Sequence, residues 1–176
     1  LSRRLQELVG TQGGRRITLV HGVGGLGKTE LVIQYAHDYR EQYTGGVWQV
    51  EAEGATSLLE CLGQLATTPE LDCHLTEDEQ HNPTLAGERV LTELHRRCTD
   101  GGRTLVFLDN VSDATVLSAP ELAHLPDGQW LRIVVTTRGP LEDFPSGSTQ
   151  GLEVGPLTPE EAVELIRKHR PPPHLG

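Results

Sequence analysis

One eight-residue segment constrains this chain more than any other feature: Gly22-Val23-Gly24-Gly25-Leu26-Gly27-Lys28-Thr29 fits the pattern G-x-x-x-x-G-K-T. A short apolar run, residues 17–21, comes before it, and residues 28–43 after it carry apolar side chains at helical spacing. The sequence therefore predicts a strand, a glycine-rich turn and a helix in direct succession.

The residue types in this segment suit the binding of phosphate groups. Glycines let the backbone turn tightly and present successive N–H groups to phosphate oxygens, and a helix N-terminus adds partial positive charge there. Lys28 supplies a mobile ammonium for β- and γ-phosphates, and the Thr29 hydroxyl is a ligand for Mg²⁺. The predicted cofactors are ATP or ADP with Mg²⁺, and the predicted contacts run from Gly22 through Glu30.

Two later apolar segments also end in polar residues. Residues 105–108 lead into Asp109, and residues 131–137 lead into Arg138. In a parallel sheet both ends meet at the carboxyl edge, where ligands bind. We therefore predict that Asp109 holds Mg²⁺ opposite Thr29, usually through water, and that Arg138 reaches the γ-phosphate. Lys28, Asp109 and Arg138 are the predicted catalytic residues.

The residue after Asp109 is Asn110, where many nucleotide hydrolases carry a second acid that polarises the attacking water. An amide can orient water but cannot accept its proton, so we expect slow hydrolysis. Asp113 is open to two interpretations, a substitute base or, more simply, the first residue of a helix.

The order of elements predicts an α/β fold: a three-layer α/β/α sandwich around a mostly parallel sheet of roughly five strands. A nucleotide-binding domain is predicted over residues 1–157, with a lead-in helix at 1–10. Residues 67–83 hold five acids, two prolines and no lysine or arginine, which predicts a mobile surface loop. A capping box at Thr158 predicts that residues 158–176 begin a following helical subdomain.

Composition excludes several classes of partner. The formal net charge is −10, which argues against nucleic acid or an anionic membrane as a direct partner. No apolar run approaches the ~20 residues of a membrane-spanning helix. Three cysteines without metal-site or disulfide spacing indicate a reducing, cytoplasmic location.

With these motifs in order, the chain resembles the nucleotide-binding domain of the NB-ARC group of STAND signalling NTPases, which have an AAA+-like P-loop fold. The resemblance rests on the segments GVGGLGKTEL, GVWQVEAE, TLVFLDNV, RIVVTTR and LEVGPLTPEEAVELI. Together they cover essentially residues 1–170.

The resemblance implies an ADP-bound resting state and an ATP-bound state that forms homo-oligomers, with other domains of a longer chain as partners. It assigns phosphate contacts to 22–29, Mg²⁺ to Thr29 and Asp109, and γ-phosphate sensing to Arg138. The family's upstream G-R-E segment, which contacts adenine, is missing from this sequence, as are the helical and winged-helix subdomains that close over ADP.

Three functions remain open at this point. The first is an ATP/ADP switch with slow hydrolysis. The second is a turnover enzyme, either an AAA-type ATPase or a P-loop kinase, whereas a GTPase is disfavoured because no N-K-x-D segment is present. The third is an interaction module with a degenerate loop, which the intact Lys28, Thr29 and Asp109 speak against.

Overall fold

The computed structural model describes residues 1–10, 16–98 and 101–169. Within them, five parallel strands form one sheet in the spatial order β2-β3-β4-β1-β5. The strands are β1 (Ile17–His21), β2 (Val47–Glu51), β3 (Thr104–Val111), β4 (Leu131–Thr137) and β5 (Thr149–Glu153). The predicted α/β fold and strand count are confirmed.

Helices cover both faces of the sheet. They are α1 (Ser2–Gly10), α2 (Lys28–Asp38), α3 (Leu58–Gly63), α4 (Glu77–His81), α5 (Pro83–Arg97), α6 (Ala119–Leu122) and α7 (Pro159–His169), with 3₁₀ turns at Arg40–Gln42, Gln64–Thr67, Ala114–Leu117 and Leu141–Asp143. Helices α3 and α5 pack on one face, and α1 and α2 pack on the other. Among the described residues, no helix is both long enough and apolar enough to cross a membrane.

The burial of each strand follows from its place in the sheet. Strand β4 is buried along its whole length, and β1 is buried except at His21, because both lie inside the sheet and are covered on both faces. Strand β2 is an edge strand, and its buried and exposed residues alternate. Glu51 is therefore an exposed carboxylate at the carboxyl end of β2, in register with Asp109 of β3.

The segment 67–83 differs from its prediction as a loop. It contains α4, whose start has a capping box between Thr76 and Glu79. Leu71 is fully buried in the core, and its carbonyl oxygen accepts a hydrogen bond of 2.8 Å from Arg97. The loop prediction is wrong for α4 because charge and proline content outweighed the T-x-x-E signal. The predicted mobility stays a prediction.

Two predicted helix boundaries are informative. The helix predicted over 28–43 ends at Asp38 and continues as a 3₁₀ turn. The last helix begins where the capping box placed it: the Thr158 N–H donates to Glu161 at 2.9 Å, and the Glu161 N–H donates back to Thr158 at 3.2 Å. Residues 170–176 lie outside the described part, and the domain boundary at residue 157 stays a prediction.

Candidate functional site

The turn between β1 and α2 has a conformation that requires glycine. Gly22, Gly25 and Gly27 have φ angles of 141°, 79° and 82°, which side chains rarely allow. At Gly22 a Cβ atom would also lie 2.4 Å from the carbonyl oxygen of Val154, just past β5. Gly27 precedes α2, so the first N–H groups of that helix have no intrahelical acceptor and are free for a ligand at the turn.

Lys28 lies over this turn. Its side chain is only 8% exposed, and Nζ donates to the carbonyl oxygens of Gly22 and Val23 at 2.8 and 2.9 Å. Burial lowers the pKa of the Lys28 ammonium, the nearby Arg138 lowers it further, and Asp109 opposes both effects. An ammonium has three donors, so these two bonds leave one for a ligand oxygen.

The Asp109 carboxylate bonds to side chains of two elements, α2 and β4. Its Oδ1 accepts a hydrogen bond of 2.9 Å from the Thr29 hydroxyl on α2 and one of 2.5 Å from the Thr136 hydroxyl on β4. Asp109 as a whole residue is 8% exposed. The sequence predicted that Thr29 and Asp109 lie together, and the structure places them in contact.

Thr136 is a site residue to which sequence reasoning gave no role. Besides donating to Asp109, its hydroxyl accepts the backbone N–H of Asn110 at 2.8 Å. The register between β3 and β4 shifts just beyond Leu108. Because Leu108 pairs with Val135, continuing the register by one residue places Thr136 opposite Asp109 on the neighbouring strand, and the local pattern of one strand does not reveal this pairing.

The side-chain oxygen atoms of Thr29 and Asp109 suit a magnesium ion. Mg²⁺ favours oxygen ligands, and it commonly takes one or two from the protein and the rest from phosphate and water. Thr29 Oγ1 and Asp109 Oδ1 form such a pair, and both hydroxyl bonds fall on Oδ1, which leaves Oδ2 without a protein donor among the described residues. In the same part of the chain, no group of three or more acidic, histidine or cysteine side chains forms an all-protein metal site.

Asn110 and Asp113 follow on the same segment. Asn110 has a φ of 63°, a left-handed conformation that asparagine tolerates better than most residues. Asp113 caps the turn at Ala114–Leu117 by accepting the Thr115 N–H at 2.8 Å, and this bond holds the pKa of its carboxyl below the usual range. The helix-start interpretation of Asp113 fits this contact.

The Arg138 side chain lies close to the glycine turn. A Cβ atom at Gly24 would lie 3.5 Å from Arg138 Nε, so the guanidinium stem passes directly over this glycine. Arg138 also perturbs the pKa of Lys28. Two cations on one turn repel each other, and a polyanion between them relieves this repulsion.

The remaining predicted contacts divide into two groups. Glu30 lies in the first turn of α2 and lines the cavity above the glycine turn, whereas Val23 is 74% exposed and Leu26 packs against the core beneath α2. The cavity brings together most of the residues predicted from the three motifs, although Gly22, Val23 and Leu26 do not line it. Glu51 and Thr136 line it although sequence reasoning gave them no role. The lining residues are Gly24, Gly25, Gly27, Lys28, Thr29, Glu30, Glu51, Asp109, Asn110, Thr136, Thr137 and Arg138.

Comparison with known proteins identifies the family. The NB-ARC domain model matches residues 1–172. The regulatory protein AfsR of Streptomyces griseus is 32% identical over 86% of this chain and 15% of its own length. A probable disease resistance protein of Arabidopsis thaliana is 27% identical over 94% of this chain and 16% of its own length. The chain thus spans about 15% of the length of these curated relatives.

Solved structures agree on the fold. Cdc6p from Pyrobaculum aerophilum superposes with a TM-score of 0.63 at 14% identity, over 94% of this chain and 47% of that one. A Signal Transduction ATPase with Numerous Domains (STAND) protein with a tetratricopeptide repeat sensor, from Pyrococcus horikoshii, gives 0.52 at 18% identity, over 95% and 25%. Together with the glycine turn and the family match, these likenesses show that the chain belongs to the NB-ARC family of P-loop NTPase domains.

Proposed function

We propose that this domain is the ATP/ADP-binding regulatory switch of a longer NB-ARC signalling protein. The observation that carries the proposal is that Lys28, Thr29 and Asp109 line one cavity with Arg138 and with the glycines of the turn. The proposed ligand is an adenine nucleotide. The proposed partners are other domains of the longer chain and, in the ATP-bound state, further copies of it.

Each residue has a distinct proposed role. The glycine turn and the start of α2 bind the phosphates through main-chain N–H groups, and Lys28 donates its remaining N–H to a phosphate oxygen. Thr29 and Asp109 would hold Mg²⁺, which when bound neutralises phosphate charge. Arg138 contacts the γ-phosphate and so distinguishes ATP from ADP.

We expect slow hydrolysis, which suits a switch rather than continuous turnover. Asn110 carries no proton-accepting carboxylate, and Asp113 is engaged with the Thr115 N–H. A ligand that moves a population from 1:99 to 99:1 must favour one state by about 5.5 kcal/mol. Contacts of the γ-phosphate with Lys28 and Arg138 would supply part of that difference.

Thermal denaturation with and without nucleotide tests the proposal. Ligand at 100-fold above its Kd adds about 2.7 kcal/mol to the free energy of unfolding, so ADP and Mg²⁺–ATP should each raise Tm clearly. GTP should raise it less. Lys28→Ala should abolish the increase, whereas Arg167→Ala, which removes an exposed cation on α7, should keep it.

Turnover and nucleotide preference complete the test. Steady-state hydrolysis should be barely above background, and a rate on the order of 10 s⁻¹, an ordinary enzyme value, would favour the turnover ATPase or kinase instead. Arg138→Ala should weaken ATP binding more than ADP binding. Equal losses for both nucleotides would contradict its assignment to the γ-phosphate.

A further inference from the structure

We propose that Glu51 is the general base for the hydrolysis of bound ATP, in the role that Asn110 cannot fill. Glu51 lies at the carboxyl end of edge strand β2 and lines the same cavity as Lys28, Thr29 and Asp109. This inference rests on the proposed function, because it names the residue that accepts a proton in its slow hydrolytic step.

The sheet places Glu51 beside the metal-binding carboxylate. Glu51 is paired in register with Asp109 on the neighbouring parallel strand, and paired strands lie about 4.8 Å apart. The backbone is held there because Gln64 Nε2 donates to the Glu51 carbonyl oxygen at 3.3 Å. One carboxylate oxygen, Oε1, accepts the Glu53 N–H at 3.3 Å, and Oε2 has no protein donor among the described residues.

The other acids of the cavity have different positions. Three acidic side chains line it in the described part of the chain: Glu30, Glu51 and Asp109. Asp109 receives two hydroxyl groups on Oδ1 and is assigned to the cation. Glu30 follows Thr29 on α2, where a rotation of about 100° per residue turns it away from the direction in which Thr29 reaches Asp109. Glu51 is the acid that remains for a water molecule.

The proposed step balances in atoms and charge. The water oxygen forms a bond to the γ-phosphorus while one O–H bond breaks and its proton passes to the Glu51 carboxylate. The bond between the γ-phosphorus and the β,γ-bridging oxygen breaks, and ADP leaves with that electron pair. Glu51 then releases the proton to solvent, giving ADP, inorganic phosphate and one proton from ATP and water.

Single-turnover hydrolysis of Mg²⁺–ATP by excess protein tests the proposal, with ATP affinity measured in parallel by calorimetric titration. Glu51→Gln keeps the oxygen that accepts the Glu53 N–H and removes only the basicity. It should lower the rate constant by ~10²-fold, or to the rate in buffer if that is reached first, and leave the Kd for ATP unchanged. Glu51→Asp keeps a carboxylate and should fall between wild type and Glu51→Gln.

Glu53→Gln is the matched control, because this exposed acid lies two residues away and does not line the cavity. It should match wild type. Three results would overturn the base assignment without contradicting nucleotide binding. They are an unchanged hydrolysis rate in Glu51→Gln, a wild-type hydrolysis rate no faster than that in buffer, and a Glu51→Gln defect that lies wholly in the Kd for ATP. Wild-type protein that binds no ATP would instead overturn the proposed function itself.

Discussion

Replacing Thr136 with valine would remove one hydroxyl, nearly without change of shape, from the centre of the site. Thr136 is 2% exposed, and its hydroxyl makes two bonds, one to the Asp109 carboxylate and one from the Asn110 N–H. A buried N–H left without a partner costs about 1–3 kcal/mol, and a hydrogen bond to a charged group contributes about 1.5–3 kcal/mol.

We expect Thr136→Val to lower the free energy of unfolding by about 2.5–4 kcal/mol, the lower part of the combined range, because Asp109 keeps the Thr29 hydroxyl and the Asn110 N–H is only part-buried. For a domain of this size, the Tm should fall by roughly 5–15 °C. Urea unfolding followed by circular dichroism measures the first quantity, and calorimetry measures the second. Thr136→Ser keeps the hydroxyl and should recover most of the loss.

Thr18→Val is the matched control. Thr18 is also a buried threonine on an inner strand, 1% exposed. Among the described residues its hydroxyl bonds only to the Gln150 side chain, which also donates to the Leu8 carbonyl oxygen. Its loss should cost about 1 kcal/mol or less. The role assigned to the Thr136 hydroxyl is refuted if the two valine variants are equally stable, or if Thr136→Ser is as unstable as Thr136→Val.

Three further predictions concern core packing, the reactivity of a buried thiol and backbone conformation. Gly87→Ala places a Cβ atom 2.1 Å from the carbonyl oxygen of Leu59 and should destabilise the domain by about 1–3 kcal/mol in urea unfolding, whereas Gly147→Ala meets nothing within 4 Å and should not. Burial raises the pKa of the Cys61 thiol to about 11, so at pH 8 roughly 0.1% is thiolate, and iodoacetamide should label it in mass spectrometry only after unfolding. Asn110→Val forces a β-branched residue to a φ of 63° and should cost about 1–2 kcal/mol by the same unfolding assay, whereas Asn110→Gly should be tolerated.

The parts of the fold that could be predicted from the sequence are those encoded locally. The apolar run 17–21, the glycine turn and the helical spacing after it specify a strand, a loop and a helix within a few residues of one another, so their order and the position of Lys28 follow directly. Asp109 could be placed for a similar reason, because an apolar run that ends in an acid delivers that acid to the carboxyl edge of a parallel sheet.

The parts that could not be predicted depend on contacts between distant residues. Thr136 reaches Asp109 because β3 and β4 are neighbours whose register pairs Leu108 with Val135, and Glu51 enters the cavity because β2 lies next to β3. Neither pairing leaves a local signal in the chain. The helix α4 is different, because the capping box at Thr76 was present in the sequence and was outweighed by the acidic composition around it.

The central claim is that the glycine turn and Lys28 bind the phosphates of an adenine nucleotide, and a crystal structure of the protein with Mg²⁺ and ADP tests it most directly. We expect the β-phosphate at the main-chain N–H groups between Gly24 and Thr29, with the Lys28 ammonium donating to a phosphate oxygen. A nucleotide bound elsewhere would contradict this claim. A disordered phosphate chain, with Lys28 bonded only to the carbonyl oxygens of Gly22 and Val23, would contradict it as well.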